Sequence, residues 1–122
     1  MKRILVIDDD VSMRRAMSRQ LTAHGYVTAV ASNGREALLM LESQLADLIV
    51  LDMMMPEMNG PEFLEVLQAS PQHSKIPIIV ITAQDIAIAV FNLRRFKVQK
   101  IIPKEDGFPD TLLATMREIL GK

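Results

Sequence analysis

Five short, mainly apolar runs along the chain have the length of β-strands. They cover residues 4–7, 26–31, 48–51, 76–81 and 98–102. Because these runs largely lack an alternation of apolar and polar residues, the strands they predict are covered on both faces. Strands of that kind are typical of a parallel sheet packed between two layers of helices.

Segments with a helical spacing of apolar residues follow the strand-like runs. Met13, Met17 and Leu21 recur every four residues after the first run, and residues 84–95 predict a fourth helix. Strands that alternate with helices in this way indicate five βα units with right-handed crossovers. The sequence therefore predicts a single α/β domain over residues 1–122.

Charged or hydroxyl side chains follow or end four of the five predicted strands. These residues are Asp8, Asp9 and Asp10, then Asp52, Thr82 and Lys104. In an open parallel sheet the site lies beyond the carboxyl ends of the strands, so we expect these side chains to share one crevice. Clustered carboxylates repel one another, and a hard divalent cation such as Mg²⁺ relieves that repulsion. A lysine and a hydroxyl nearby suit the oxygens of a phosphoryl group.

Composition and charge exclude several other classes of protein. The formal net charge of -1 provides no basic excess for nucleic-acid phosphates, so we expect no nucleic-acid binding by this domain. The absence of cysteine excludes disulfides and zinc–thiolate sites. The apolar run at 4–7 is too short for a signal peptide or a membrane span. We therefore expect a cytoplasmic protein without membrane contact.

The polar positions at the strand ends resemble those of receiver domains in two-component response regulators, including chemotaxis regulators. The segment 51–60, with its sequence LDMMMPEMNG, is similar to the most distinctive stretch of that family. The resemblance covers about residues 2–120 and is weakest over 85–109. It implies a doubly wound, flavodoxin-like (βα)₅ fold with a five-stranded parallel sheet of order 2-1-3-4-5.

The resemblance also implies a magnesium site beside a phosphoacceptor. Asp52 resembles the nucleophile that becomes an acyl phosphate, and the resemblance implies that it is also a metal ligand. Asp9 resembles a direct ligand of Mg²⁺, Asp8 a ligand acting through water, and Met54 a ligand through its backbone carbonyl. Asp10 is interpreted as a structural residue that caps the first helix.

Two further residues are implied to contact the phosphoryl group. Thr82 resembles the hydroxyl that donates to it, and Lys104 resembles the ammonium that pairs with it. The family usually has proline after this lysine, whereas here Glu105 follows, so we predict a trans peptide bond at that place. The loop 105–109 must then take a different path, and Lys100 is the alternative candidate for the lysine.

The resemblance implies a phosphorylation-controlled signalling module. The donor would be a sensor histidine kinase or a phosphotransfer protein, and any catalysis would be self-directed phosphotransfer and autodephosphorylation. A downstream protein or a second copy would bind through the fourth helix, fifth strand and fifth helix. The chain is either a stand-alone receiver or the front of a longer regulator.

Three other functions compete with this interpretation. A pseudo-receiver would bind its partner without phosphorylation, and a phosphate sink or relay would accept phosphoryl groups without an output surface. A small phosphatase with an aspartate nucleophile would need a second acid–base carboxylate and a lid, for which no long loop is visible. A flavin-binding domain of the same architecture would need a phosphate loop after the first strand, where three aspartates stand instead.

Overall fold

The computed structural model describes residues 1–105 and 107–121, so Asp106, in the loop predicted to take a different path, lies outside the described residues. Strands and helices alternate along the chain. The strands are β1 (Arg3–Ile7), β2 (Val27–Ala31), β3 (Leu48–Asp52), β4 (Ile78–Thr82) and β5 (Lys100–Pro103). The helices are α1 (Val11–Ala23), α2 (Gly34–Ser43), α3 (Gly60–Ala69), α4 (Ile86–Asn92) and α5 (Phe108–Leu120).

All five strands are parallel and lie in the order β2-β1-β3-β4-β5. The predicted fold class and strand order are confirmed. The register pairs Ile7 with Leu51 and Thr82 with Pro103, so the strands end at nearly the same level. Residues that follow the strand ends therefore emerge along one edge of the sheet.

Apolar side chains fill both faces of the sheet. In β1, Leu5 and Ile7 belong to the core under α2 and α3, whereas Ile4 and Val6 belong to the core under α1 and α5. Successive strand residues point to opposite faces, so a strand between two helix layers must be apolar throughout. This burial on both sides is the physical reason for the unbroken apolar runs in the sequence.

Short polar side chains begin four of the helices. Asp10, Asn33, Asn59 and Asp85 each accept a hydrogen bond from a backbone N–H of the first turn. Such caps satisfy N–H groups that have no partner inside the helix. Asp10 thus has the structural role predicted for it.

The fourth helix and the two last strands differ in extent from the sequence-based prediction. Helix α4 covers seven residues instead of the twelve predicted over 84–95. It starts late because the Asp85 side chain caps it, and it stops early because the bonds after Leu93 span three residues instead of four, as from the Arg94 N–H to the Phe91 carbonyl. Strand β4 begins at Ile78, and β5 begins at Lys100.

In the part of the chain that the structure describes, no helix is both long enough and apolar enough to span a membrane.

Gly60 and Gly34 offer a matched pair of substitutions at the starts of α3 and α2. A Cβ atom at Gly60 would lie 3.0 Å from the Met53 carbonyl oxygen and 3.2 Å from its Cα, next to Asp52. The three atoms nearest to a Cβ at Gly34 all belong to the side chain of Met58, at 2.9–3.2 Å. The Met53 backbone cannot move away from a methyl group at Gly60, whereas the flexible Met58 side chain can move away from one at Gly34.

We expect Gly60→Ala to lower the free energy of unfolding by about 1 kcal/mol. Gly34→Ala should be neutral or stabilising by about 0.5 kcal/mol, because alanine favours helix over glycine. Urea denaturation followed by circular dichroism measures both values. Equal effects of the two substitutions would contradict the close backbone approach at Gly60.

Candidate functional site

Four strands deliver the predicted residues to one edge of the sheet. Asp8 follows β1, Asp52 ends β3, Thr82 ends β4, and Lys104 follows β5. Backbone bonds extend the strand pairing to this edge, since the Lys104 N–H donates to the Thr82 carbonyl at 2.7 Å. The rigid sheet therefore sets the spacing of the site residues.

Lys104 contacts both buried carboxylates. Its Nζ atom lies 3.3 Å from Oδ2 of Asp8 and 3.3 Å from Oδ1 of Asp52. Lys100, the alternative lysine, is exposed at the start of β5, where it pairs with Ile79. The structure thus brings Lys104, and not Lys100, to the acidic residues, and no described peptide bond is cis, as predicted after Lys104.

Asp8, Asp9 and Asp52 form a cluster of oxygen ligands. One carboxylate oxygen of each residue lies within 4.8 Å of the others. Oδ2 of Asp8 is buried and accepts no hydrogen bond within the described residues, although the Lys104 ammonium is near. Hard oxygen donors with an unsatisfied buried acceptor fit a divalent cation such as Mg²⁺, so this acidic pocket could bind a metal.

Asp8 is held rigidly from two sides. Its Oδ1 accepts from the Asp10 backbone N–H at 2.9 Å, and its carbonyl accepts from the Arg14 guanidinium at 2.8 Å. Sequence reasoning did not find Arg14, because nothing in its spacing distinguishes it from the neighbouring arginines of α1. Its contact with Asp8 depends on how α1 docks beside β1.

The Thr82 hydroxyl is oriented by a neighbouring backbone group. Thr82 is fully buried, and its Oγ1 accepts a hydrogen bond from the Gln84 N–H at 2.9 Å. A hydroxyl that accepts from the backbone keeps its own proton available as a donor. Gln84 was also missed from the sequence, although a short bond from a threonine to the N–H two residues later is a known turn motif.

The loop after Asp52 is tightly folded. Glu57 has a φ of 68°, and the Met58 N–H donates to the Pro56 carbonyl at 2.8 Å across it. The Met54 N–H points to Oδ1 of Asp52 at 3.4 Å. A positive φ is uncommon outside glycine, and such strain clusters at functional loops.

Burial dominates the electrostatics of Asp52. Loss of solvent and the negative charge of Asp8 raise the pKa of Asp52 to about 7, although Lys104 opposes the shift. Burial lowers the pKa of Lys104, but the charges of Asp52 and Asp8 outweigh it and hold that pKa above its usual value. The ammonium therefore stays protonated, and the carboxylates have a charge excess that a cation would neutralise.

A cavity of about 450 Å³ opens beside the lysine. Its walls are Met13, Lys104, Glu105, Gly107, Phe108 and Pro109. A larger cavity of about 720 Å³, which includes His24, Tyr26 and Arg117, contains none of the predicted site residues. The smaller cavity therefore adjoins the acidic cluster only through Lys104, because neither cavity is lined by Asp8, Asp9 or Asp52.

Known proteins of similar sequence are response regulators. The family model described as the response regulator receiver domain matches residues 4–116. Response regulator MprA of Mycolicibacterium vanbaalenii is 42% identical over 121 residues, which are 98% of this chain and 51% of that protein. The probable transcriptional regulator ycf27 of Pyropia yezoensis is 44% identical over 82 residues, 67% of this chain and 32% of that protein. The chain spans about half the length of these relatives, or less.

Solved structures of similar fold cover almost the whole chain. The chemotaxis protein CheY4 of Vibrio cholerae has a TM-score of 0.90 and 29% identity, and the match covers 98% of both chains. Response regulator protein TrrA of Thermotoga maritima, solved in complex with Mg(2+)-BeF, has a TM-score of 0.84 and 29% identity, covering 98% of this chain and 99% of that one.

The raised pKa of Asp52 makes stability depend on pH. The pKa of the Asp52 carboxyl is 3.8 in the unfolded chain and about 7 in the folded one, so the folded state binds the proton more tightly. The protonated carboxyl therefore contributes stability that is fully present below pH 3.8. That contribution is lost as pH rises to about 7. Without divalent cations, Asp52→Asn should raise the free energy of unfolding at pH 7.5 by on the order of 1–2 kcal/mol, and by less at pH 5.

Urea denaturation at the two pH values in EDTA measures this effect. Asp110→Asn is the control, because Asp110 is exposed in the first turn of α5. If Asp52→Asn raised the free energy of unfolding equally at pH 5 and pH 7.5, the raised pKa of Asp52 would be refuted.

Proposed function

The chain belongs to the response regulator receiver domain family of two-component signalling, and from this premise we propose that it is a phosphorylation-controlled module with Asp52 as phosphoacceptor. Receiver domains are signalling modules rather than classical enzymes, and those of response regulators accept phosphoryl groups from histidine kinases. The observation that carries the proposal is the contact of Lys104 with both Asp8 and Asp52 at 3.3 Å.

The proposed reaction forms one bond and breaks one. An Asp52 carboxylate oxygen attacks the phosphorus of a phosphohistidine on a sensor kinase or phosphotransfer protein. The P–N bond breaks with its electron pair on the ring nitrogen, the protonated phosphohistidine ring leaves as neutral imidazole, and an acyl phosphate remains on Asp52. Lys104 pairs with the added negative charge, and the Thr82 hydroxyl donates a hydrogen bond to a phosphoryl oxygen. Hydrolysis of the same acyl phosphate by water would reset the domain.

The donor set of the acidic pocket supports Mg²⁺ as the cofactor. Asp8, Asp9 and Asp52 would hold it with the Met54 carbonyl, and the unsatisfied Oδ2 of Asp8 supports that assignment. When bound, Mg²⁺ supplies positive charge to the carboxylates and the phosphoryl oxygens. The structure of TrrA, to which this chain is similar, was solved in complex with Mg(2+)-BeF.

The proposed output surface lies on α4, β5 and α5. Helix α4 buries only Ala89, while Ile88, Val90 and Phe91 are exposed. This apolar surface suits a downstream protein or a second copy of the chain. Because β5 pairs with β4 through Thr82 and Pro103, movement of the Thr82 hydroxyl toward a phosphoryl group would bias the packing of this surface.

Residues 1–122 form one receiver domain in this proposal.

The phosphoacceptor is tested with a small phosphoryl donor and magnesium. Wild-type protein should gain one phosphoryl group that hydroxylamine removes, because an acyl phosphate reacts with it. Asp52→Asn should gain none, and the control Asp110→Asn should react as the wild type does. Intact-mass spectrometry measures the modification. A phosphoryl group on the Asp52→Asn protein would refute the assignment, and an unreactive wild type would favour a pseudo-receiver.

The metal ligands are tested by titration with magnesium. The dissociation constant should be about 0.1–1 mM, because the ion keeps several waters. Asp9→Ala should weaken binding by about 10-fold or more. Asp10→Ala is the control: it removes the α1 cap and about 1 kcal/mol of stability, yet should leave the affinity unchanged. Calorimetry measures both, and equal losses of affinity would contradict the assignment of Asp9.

A further inference from the structure

Strand β2 is one of the two edge strands of the sheet and pairs with β1 alone. In a parallel ladder, alternate residues direct both their N–H and their C=O to the same neighbour. The Val27 N–H donates to the Lys2 carbonyl at 2.9 Å. The Ala31 carbonyl accepts from the Asp8 N–H at 3.1 Å. The odd-numbered residues of β2 therefore face β1.

The backbone groups of Thr28 and Val30 consequently point away from the sheet. Within the described residues, neither has a backbone hydrogen bond to anything beyond β2. Proteins usually protect such an edge with lysine, proline or a covering loop. Strand β2 has the sequence VTAVA, with Val27 37% and Val30 40% exposed. The edge therefore lacks a protecting residue of its own.

A groove with a basic wall runs beside this edge. Its cavity of about 470 Å³ is lined by Val11, Arg14, Arg15, Ser18, Arg19 and Val30. The Thr28 hydroxyl bonds those of Ser18 and Thr22 at 2.9 and 3.1 Å, which fixes α1 against β2. Both walls of the groove are thus held in place.

Two of the three arginines are available to a ligand. Arg14 donates to the Asp8 carbonyl, whereas Arg15 and Arg19 are exposed. Neither Arg15 nor Arg19 forms an ion pair with any residue in 1–105 or 107–121. Guanidinium groups bind carboxylates in paired hydrogen bonds, so the charge of this wall favours an acidic ligand.

The spacing of the two arginines matches a strand. Residues four apart on a helix, as Arg15 and Arg19 are, rise by about 6 Å along its axis. Residues two apart on a strand are separated by about 6.6 Å and point to the same face. Carboxylates at alternate positions of an added strand would therefore meet one arginine each.

We propose that the groove between α1 and β2 binds an extended acidic segment of a partner protein, which adds a sixth strand beyond β2. The segment has acidic residues two apart on the side of α1, and its backbone bonds the free groups of Thr28 and Val30. Antiparallel pairing with a second copy of this chain would instead place its arginines beside Arg15 and Arg19, where like charges repel. None of Asp8, Asp9, Asp52, Thr82 and Lys104 lines this groove.

The test uses three labelled eight-residue peptides and fluorescence anisotropy. The first alternates glutamate with valine, the second alternates lysine with valine, and the third is the first with N-methyl groups on alternate amides. Only the first should bind. In its presence, amide shifts should change at Thr28 and Val30, and their amide protons should become protected from exchange.

Two double variants separate the arginine contacts from general charge. Arg15→Ala/Arg19→Ala should weaken the glutamate peptide by about 10-fold or more. Arg95→Ala/Lys97→Ala removes the same charge from the exposed segment after α4 and should change the affinity less than twofold.

Three results would overturn the proposal. The lysine peptide could bind as tightly as the glutamate peptide, which would exclude recognition of acidic residues. The N-methylated peptide could bind as tightly as its parent, which would exclude strand addition. Concentration-dependent dimerisation through β2 without peptide, seen by analytical ultracentrifugation, would make a second copy the occupant.

Discussion

Two carboxylates, Asp8 and Asp52, are buried beside one another at the carboxyl edge of the sheet, with one ammonium in contact with both. Burial penalises each charge, and Lys104 compensates only part of their repulsion, so the pKa of Asp52 rises to about 7. A fold selected for stability alone would fill this edge with apolar side chains. The unfavourable charge is retained where a cation would relieve it, which links ligand binding to stability.

The sheet holds these charges in place. Its register brings the ends of four strands to one level, and the core on each face prevents them from sliding. Individual contacts then set the side chains: Arg14 and the Asp10 N–H hold Asp8, and the Gln84 N–H orients Thr82. A preorganised site of this kind needs little rearrangement when charge is added.

The two ends of the sheet suit different partners. The β5 edge is next to α4, whose exposed residues are apolar and whose packing is connected to Thr82 through strand pairing. The β2 edge has free backbone groups beside Arg15 and Arg19. Since three strands separate the two edges, a partner on one leaves the other accessible. The proposed phosphorylation-dependent output and the proposed docking of an acidic segment therefore use separate surfaces.

The sequence by itself determined the layered α/β architecture, because buried parallel strands must be apolar on both faces, and it determined which polar residues stand at the strand ends. The tertiary structure decided what those residues contact. Only folding showed that Lys104 rather than Lys100 reaches Asp8, which lies almost the whole chain length away. The start of β4 was likewise unpredictable, since the Ile78 N–H bonds a side chain 21 residues later, at Gln99. Apolar spacing is local, whereas boundaries and side-chain partners depend on contacts between residues distant in the chain.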